Sequence, residues 1–302
     1  MKRTATIICT GFLLSSSLVA TPAAKAAFPG TNGDIAFSRF TREQIDIWTV
    51  NPRTGDTTRL TNTRRADESQ PDWNAAGTRL AFSKCSRRTP PNCEIWTMDA
   101  DGSDTTRLTR TLDVQESWPT WSPDGTQIAY TSSPSDAFFL DPDIWLMNAD
   151  GTGQTQLTTS GTLDAFPEWS PDGTRIAFIS DREDGNADIW IIDPDGANPT
   201  RLTTNRLFDE HPDWSPDGAR ITFARSGNIW VIDADGTDAT KLTGGVRGEV
   251  TPAFSPDGTM IAFSRAQTRE GDFGVWTMLV DGSDRTQLTS GVFDLPADWQ
   301  PV

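Results

Sequence analysis

An all-β chain folded as a six-bladed β-propeller of four-stranded blades is the architecture that this sequence of 302 residues predicts. Three recurring pairs of residues lead there. A Leu-Thr pair recurs six times, at Leu60, Leu108, Leu157, Leu202, Leu242 and Leu288. An Ile-Trp or Val-Trp pair also recurs six times, ending at Trp48, Trp96, Trp145, Trp190, Trp230 and Trp276, at intervals of 48, 49, 45, 40 and 46 residues. A Pro-x-Trp series adds Trp73, Trp121, Trp169 and Trp214, with Phe254 in the Trp position of the fifth copy and Trp299 one residue late after Pro296. Eleven of the twelve tryptophans belong to the repeat, and only Trp118 stands outside it. Units of this length are the blade class of repeat.

One unit justifies the strands in turn. Ser170-Pro171-Asp172-Gly173 is a tight turn, because Pro presets φ, Asp bonds locally and Gly takes the left-handed position. Ile176 and Phe178 then alternate on one face, as a half-buried strand requires. Asp188 to Ile192 makes the next strand, Asp193-Pro194-Asp195-Gly196 turns again, and the run to Leu202-Thr203 makes another. Four short strands joined by hairpins form one propeller blade. No helical periodicity interrupts them.

The two ends complement each other. Phe28-Pro29-Gly30-Thr31-Asn32-Gly33 stands where later units have Trp-Ser-Pro-Asp-Gly-Thr, and Pro296 to Pro301 opens a unit that is not continued. The C-terminal segment is therefore expected to supply a strand to the first blade, closing the ring and removing an exposed edge. The propeller is expected over residues 27–302 as one monomeric domain.

Residues 1–26 read as a signal peptide. Lys2 and Arg3 precede an apolar run from Ile7 to Ala20, and Ala24-Lys25-Ala26 has the small-x-small form of a cleavage site. The run is too short for a membrane span. Export to the periplasm or the medium follows, with no membrane insertion. Loss of Lys2, Arg3 and Lys25 takes the formal net charge from −16 to −19. Such a surface repels phosphate backbones, so nucleic acid is excluded as a partner. Of the three cysteines, Cys9 leaves with the leader. Cys85 and Cys93 are close in sequence and face an oxidising compartment, so a disulfide is expected. A two-Cys metal site is the rival, and no His or further Cys lies nearby to complete it.

The run Trp-Ser-Pro-Asp-Gly-x-x-Ile-Ala-Phe, then Asp-Ile-Trp, Ala-Asp-Gly and Leu-Thr, resembles the WD40-like (PD40) repeat of the TolB propeller family. The Gly-His and Trp-Asp dipeptides of true WD40 repeats are missing. The resemblance covers the propeller and not the α/β domain that precedes it in TolB. It implies that protein partners dock at the mouth of the central channel, and that the channel can hold calcium.

Most repeated residues are structural. Tyr130 takes the Phe position of Ile128-Ala129-Tyr130 and is expected in the core. The Asp-Ala-Asp-Gly turns at Asp99 and Asp233 lack the spacing of a calcium loop and its closing Glu. One series points to function. An acid stands five residues before each Pro-x-Trp aromatic: Glu68, Glu116, Asp164, Asp209, Glu249 and Asp294. If the Pro-x-Trp strand is innermost, these six carboxylates ring one mouth of the channel. At ~10 Å spacing neighbours repel by only about 0.4 kcal/mol in water, so such a ring needs no bound cation. Its field favours Ca²⁺, or a basic or amino-terminal segment of a protein partner. The plainer reading is a loop-capping acid copied with the repeat.

His211 is the only histidine, beside Asp209 and Glu210 before Pro212, where other units carry Gln70, Trp118, Phe166, Thr251 and Leu295. It is an accessory candidate at the mouth, against the plainer reading of a surface-loop residue. No Gly-x-Ser-x-Gly elbow accompanies it, and one histidine cannot supply a multi-His metal centre. A non-catalytic binding scaffold is the expected function, with no required cofactor and Ca²⁺ optional. A carbohydrate-active hydrolase or lyase using a pair of the mouth carboxylates is the alternative.

Overall fold

The computed structural model describes residues 30–302 apart from 42–43, 88–91, 112–113, 135–140, 246–247, 268–271 and 292. The expected leader lies outside the described residues. Among the described residues the regular structure is entirely β. The first strands are β1 (Asn32–Phe40), β2 (Ile45–Val50) and β3 (Thr57–Arg59). Next come β4 (Ala66–Trp73), β5 (Arg79–Ser86), β6 (Asn92–Asp99) and β7 (Thr106–Arg107), then β8 (Val114–Trp121), β9 (Gln127–Pro134), β10 (Asp143–Asn148) and β11 (Thr155–Gln156). They are followed by β12 (Asp164–Trp169), β13 (Ile176–Ser180), β14 (Asp188–Ile192) and β15 (Thr200–Arg201), and by β16 (Asp209–Trp214), β17 (Arg220–Arg225), β18 (Asn228–Asp233) and β19 (Thr240–Lys241). The last are β20 (Glu249–Phe254), β21 (Met260–Ala266), β22 (Phe273–Leu279), β23 (Thr286–Gln287) and β24 (Asp294–Pro301).

These strands make a propeller of four-stranded blades. Four sheets are separate: β24-β1-β2-β3, β12 to β15, β16 to β19 and β20 to β23. A larger sheet of eight strands contains β4 to β7 and β8 to β11, each in the same meander order, joined at one parallel pair, Cys93 opposite Gln115. In the first sheet β24 lies antiparallel to β1, with Ile35 opposite Trp299 and Arg39 opposite Asp294. The C-terminal segment thus takes the inner place that the sequence leaves empty there. Cys85 and Cys93 are disulfide-bonded, directly across β5 and β6.

The repeated residues have identifiable tasks. At the Ser-Pro-Asp-Gly turn, Asp172 Oδ1 accepts from Ser170 Oγ at 2.7 Å and from the Thr174 amide at 3.0 Å, and Gly173 has φ +69°. The Thr of each Leu-Thr pair accepts the amide hydrogen of the apolar residue before the Ile-Trp or Val-Trp aromatic, as at Ile189 to Thr203 at 2.9 Å and Ile229 to Thr243 at 2.9 Å. That bond ties the short outermost strand to its neighbour. The core lies between sheets. Ala81 and Ile95 pack with Trp121, Ile128 and Tyr130, while Ile35, Phe37 and Trp299 pack with Ala253, Ala262 and Val275. Tyr130 is 1% exposed, and burial pushes its hydroxyl pKa upward, as expected of a core residue.

Candidate functional site: the channel collar

The six acids predicted to ring the mouth are buried in place of lying open. Glu68, Glu116, Asp164, Asp209, Glu249 and Asp294 are each at most 2% exposed. Five of them meet a cation on or just beyond the neighbouring strand: Glu68 meets Lys84 at 2.8 Å, Asp164 Arg182 at 3.0 Å, Asp209 Arg225 at 2.5 Å, Glu249 Arg265 at 3.4 Å and Asp294 Arg39 at 2.8 Å. Each of these cations also lies 4.8–4.9 Å from the ring centre of an Ile-Trp or Val-Trp indole: Trp96, Trp190, Trp230, Trp276 and Trp48. Acid, cation and indole form one repeated stack, in which the acid holds the cation over the ring. The expectation of a ring of free charge is corrected accordingly.

Glu116 departs from this pattern. It stands opposite Ser132 and accepts from Thr111 Oγ1 at 2.6 Å. Burial first, with the nearby Glu94 carboxyl adding to it, pushes its pKa up to about 7.

The reason the acids miss the channel is a bulge. Register shifts occur in the innermost strands between Ser69 and Asp72, Ser117 and Thr120, Ala165 and Glu168, Glu210 and Asp213, and Val250 and Ala253. Within each lies a residue at positive φ followed by proline: Gln70 (58°), Trp118 (53°), Phe166 (56°), His211 (54°) and Thr251 (49°). Both features disfavour that conformation, and five such residues store on the order of 1–3 kcal/mol each. The bulge breaks the alternation of side chains, so these five line the mouth of the channel.

They form a collar around a cavity of about 70 Å³. Three of its side chains are aromatic and touch one another. Phe166 stacks on His211 with ring centres 4.4 Å apart and interplanar angle 15°, and Trp118 meets Phe166 edge-on at 4.6 Å and His211 at 4.9 Å. Burial holds the His211 pKa down at about 4, so the imidazole is neutral at pH 7. Its Nδ1 has no hydrogen-bond partner among the described residues; Glu210 approaches it only to 3.8 Å. The same three rings border a second cavity of about 360 Å³ with Leu163, Ile179 and Phe208. Phe208 is 61% exposed and the adjacent Leu207 50%.

Below the collar the channel carries a second set of carboxyls. Asp72 and Glu168 line the collar cavity, and Glu168, Asp213 and Asp298 line a smaller one of about 20 Å³ beneath it. Each of these acids directly precedes the aromatic of the Pro-x-Trp series, a position absent from the sequence-based candidates. One oxygen of each accepts from a neighbouring inner strand: the Trp121 amide donates to Asp72 Oδ2 at 2.7 Å, Trp73 to Asp298 Oδ2 at 2.9 Å, and Phe254 to Asp213 Oδ2 at 2.6 Å. Thr120 Oγ1 donates to Glu168 Oε1 at 3.1 Å. Burial and mutual repulsion raise the pKa of Asp72 and Glu168 well above the usual carboxylate range. Asp213 rises in the same way through burial and Asp298, and burial pushes Asp298 up to about 7. Among the described residues no three His, Cys, Asp or Glu side chains converge to hold a metal ion.

The family model for the TolB beta propeller domain matches residues 119–288, more than half of the chain. Among solved structures, TolB from Acinetobacter baumannii superposes with TM-score 0.73 at 23% identity, over 91% of this chain and 68% of that one. A putative TolB from Agrobacterium tumefaciens gives 0.69 at 23% identity, over 89% of this chain and 91% of that one. An oligogalacturonate lyase in complex with manganese gives 0.60 at 13% identity, over 87% and 77%. No curated protein sequence matches. At these identities the superpositions speak for the fold.

Proposed function

The chain belongs to the TolB β-propeller family, and on that footing we propose that it is an exported, non-catalytic scaffold whose channel collar binds a protein or peptide partner. We count the eight-stranded sheet as two blades, which makes six in all. Residues 1–26 are the export signal in this reading, and the mature protein acts in the periplasm or the medium. The observation that carries the binding role is the aromatic cluster Trp118–Phe166–His211. A strained backbone holds three rings at a channel mouth, beside an apolar recess with Leu207 and Phe208 exposed at its edge. Phe166 packs against the core between two sheets, while Trp118 and His211 belong to none of the core clusters among the described residues. Partner binding moves from the six buried acids to this collar, with His211 a member of it.

Affinity capture from the native envelope and medium tests the proposal. Wild-type protein is compared with Trp118→Ala and with Phe208→Ser, each checked for folding by its melting curve. Loss of the same captured partner from both folded variants supports the collar. Retention by both overturns it. Turnover of an acidic oligosaccharide by the wild type, lost in Glu168→Gln, supports the lyase-like alternative instead.

A further inference from the structure

The collar and the carboxyls beneath it carry a more specific chemistry than a partner's apolar contact. We propose that the collar receives a primary ammonium group on an unbranched chain, the side chain of a lysine presented by the partner, with Asp72, Glu168 and Thr251 as its three acceptors. The inference rests on the binding role proposed above and narrows the class of partner.

The first observation is an unsatisfied hydroxyl. Thr251 is 7% exposed, lines the collar cavity, and its Oγ1 has no hydrogen-bond partner. A buried polar group left unpaired costs about 1–3 kcal/mol, so a site that keeps one open is set to receive a donor. The β-branched side chain is moreover held at φ 49°, a conformation that such residues rarely adopt.

The second is the pattern of free oxygens. Asp72 commits Oδ2 to the Trp121 amide and Glu168 commits Oε1 to Thr120. Among the described residues each carboxyl keeps its other oxygen without a hydrogen bond, and both residues line the same cavity. The site thus offers three single acceptors from three sheets: Asp72 Oδ1, Glu168 Oε2 and Thr251 Oγ1. An ammonium has three rotatable N–H donors and matches them one to one. A guanidinium binds best to both oxygens of one carboxylate, and neither carboxyl has both to give.

The third is the collar itself. The rings of Trp118 and Phe166 attract a desolvated cation, and neutral His211 adds no repulsion. A cavity of about 70 Å³ has room for an ammonium and its methylenes. The flanking recess of about 360 Å³ accepts an apolar neighbour in the partner's sequence.

Cation binding draws protons off the acidic floor, where Asp72, Glu168, Asp213 and Asp298 have raised pKa values and His211 is already neutral. Binding is therefore accompanied by proton release near pH 7.

The experiment is calorimetric titration of the protein with a lysine-bearing hexapeptide blocked at both ends, in buffers of different ionisation enthalpy. Peptides with norleucine or arginine in place of lysine, and an unblocked peptide lacking lysine, are the comparisons. The lysine peptide is expected to bind at least ten-fold more tightly than the norleucine and arginine peptides, with net proton release. Glu168→Gln and Asp72→Asn are each expected to weaken it at least ten-fold, and the isosteric Thr251→Val several-fold. Equal binding of lysine and norleucine peptides overturns the proposal, as does unchanged affinity in all three variants. Preference for the unblocked peptide reassigns the site to a chain terminus and overturns the lysine. If no peptide binds while Trp118→Ala still loses the captured partner, the ammonium site falls and the binding role stands.

Discussion

Arg225 and Asp209 meet through two parallel hydrogen bonds, Nε to Oδ1 at 2.5 Å and Nη2 to Oδ2 at 2.6 Å. The guanidinium carbon lies 4.8 Å from the ring centre of Trp230, and the two side chains are 9% and 0% exposed. Removing one member leaves the other charged and buried. Arg225→Met is expected to destabilise the protein by about 3–5 kcal/mol, whereas Arg225→Met with Asp209→Leu is expected to cost much less. Urea denaturation of both variants checks this, and equal losses would show that the pair matters for packing alone.

Glu116 gives the opposite expectation. It has the acid of the stack but faces Ser132 in place of a cation, and its pKa is pushed up to about 7. A raised folded pKa stabilises below the unfolded value and loses that contribution as pH climbs through the folded one. Glu116→Gln should therefore gain roughly 2 kcal/mol at pH 8 and nearly nothing at pH 5. Melting curves at the two pH values decide it.

The channel floor makes the whole propeller sensitive to alkali. Asp72, Glu168 and Asp213 are raised well above the usual range and Asp298 to about 7. Their contribution is complete below about pH 4 and declines through pH 7 as the folded protein is forced to release protons. His211, held down at about 4, works the other way, losing its contribution as pH falls from about 6.5 towards 4. Several raised carboxyls outweigh one imidazole, so the melting temperature is expected to fall from pH 5.5 to pH 8. Asp298→Asn should flatten that slope, by up to ~1.4 kcal/mol per pH unit. A melting temperature that rises over this interval would contradict the assignment.

Reducing the Cys85–Cys93 bridge is expected to cost about 2–3 kcal/mol, the loop-closure entropy of so short a span. Because Cys93 is also the point where β6 meets β8, hydrogen exchange in these two strands should quicken first on reduction. Uniform acceleration through all sheets would speak against a local role.

The frame of the fold was legible because it is written in aromatic spacing and turn chemistry. Trp73 or Trp121 can be placed in a strand by pattern alone, and the vacancy beside β1 by the unfinished segment around Trp299. The site was not. Glu68 and its counterparts recur as regularly as core residues, and regularity turned out to mark the acid–cation–indole stack. The collar residues Gln70, Trp118, Phe166, His211 and Thr251 occupy one position of the repeat with five different side chains. Non-uniformity within a fixed frame was the available signal, visible in the lone unassigned Trp118. What hid it was the bulge, since strand alternation assigns a side chain to a face only where no extra residue intervenes.

Strand β24 reaches β1 across a sequence separation of 255 residues, at the Arg39–Asp294 pair. Every other sheet is assembled from neighbours in the chain, and only this one joins distant segments. Translation delivers β1 long before its partner exists. Until then the first sheet offers a bare inner edge, able to accept any extended strand, including β24 of another molecule. The fold is thus latched rather than stacked, and its last contact to form decides between a closed ring and an exchanged dimer.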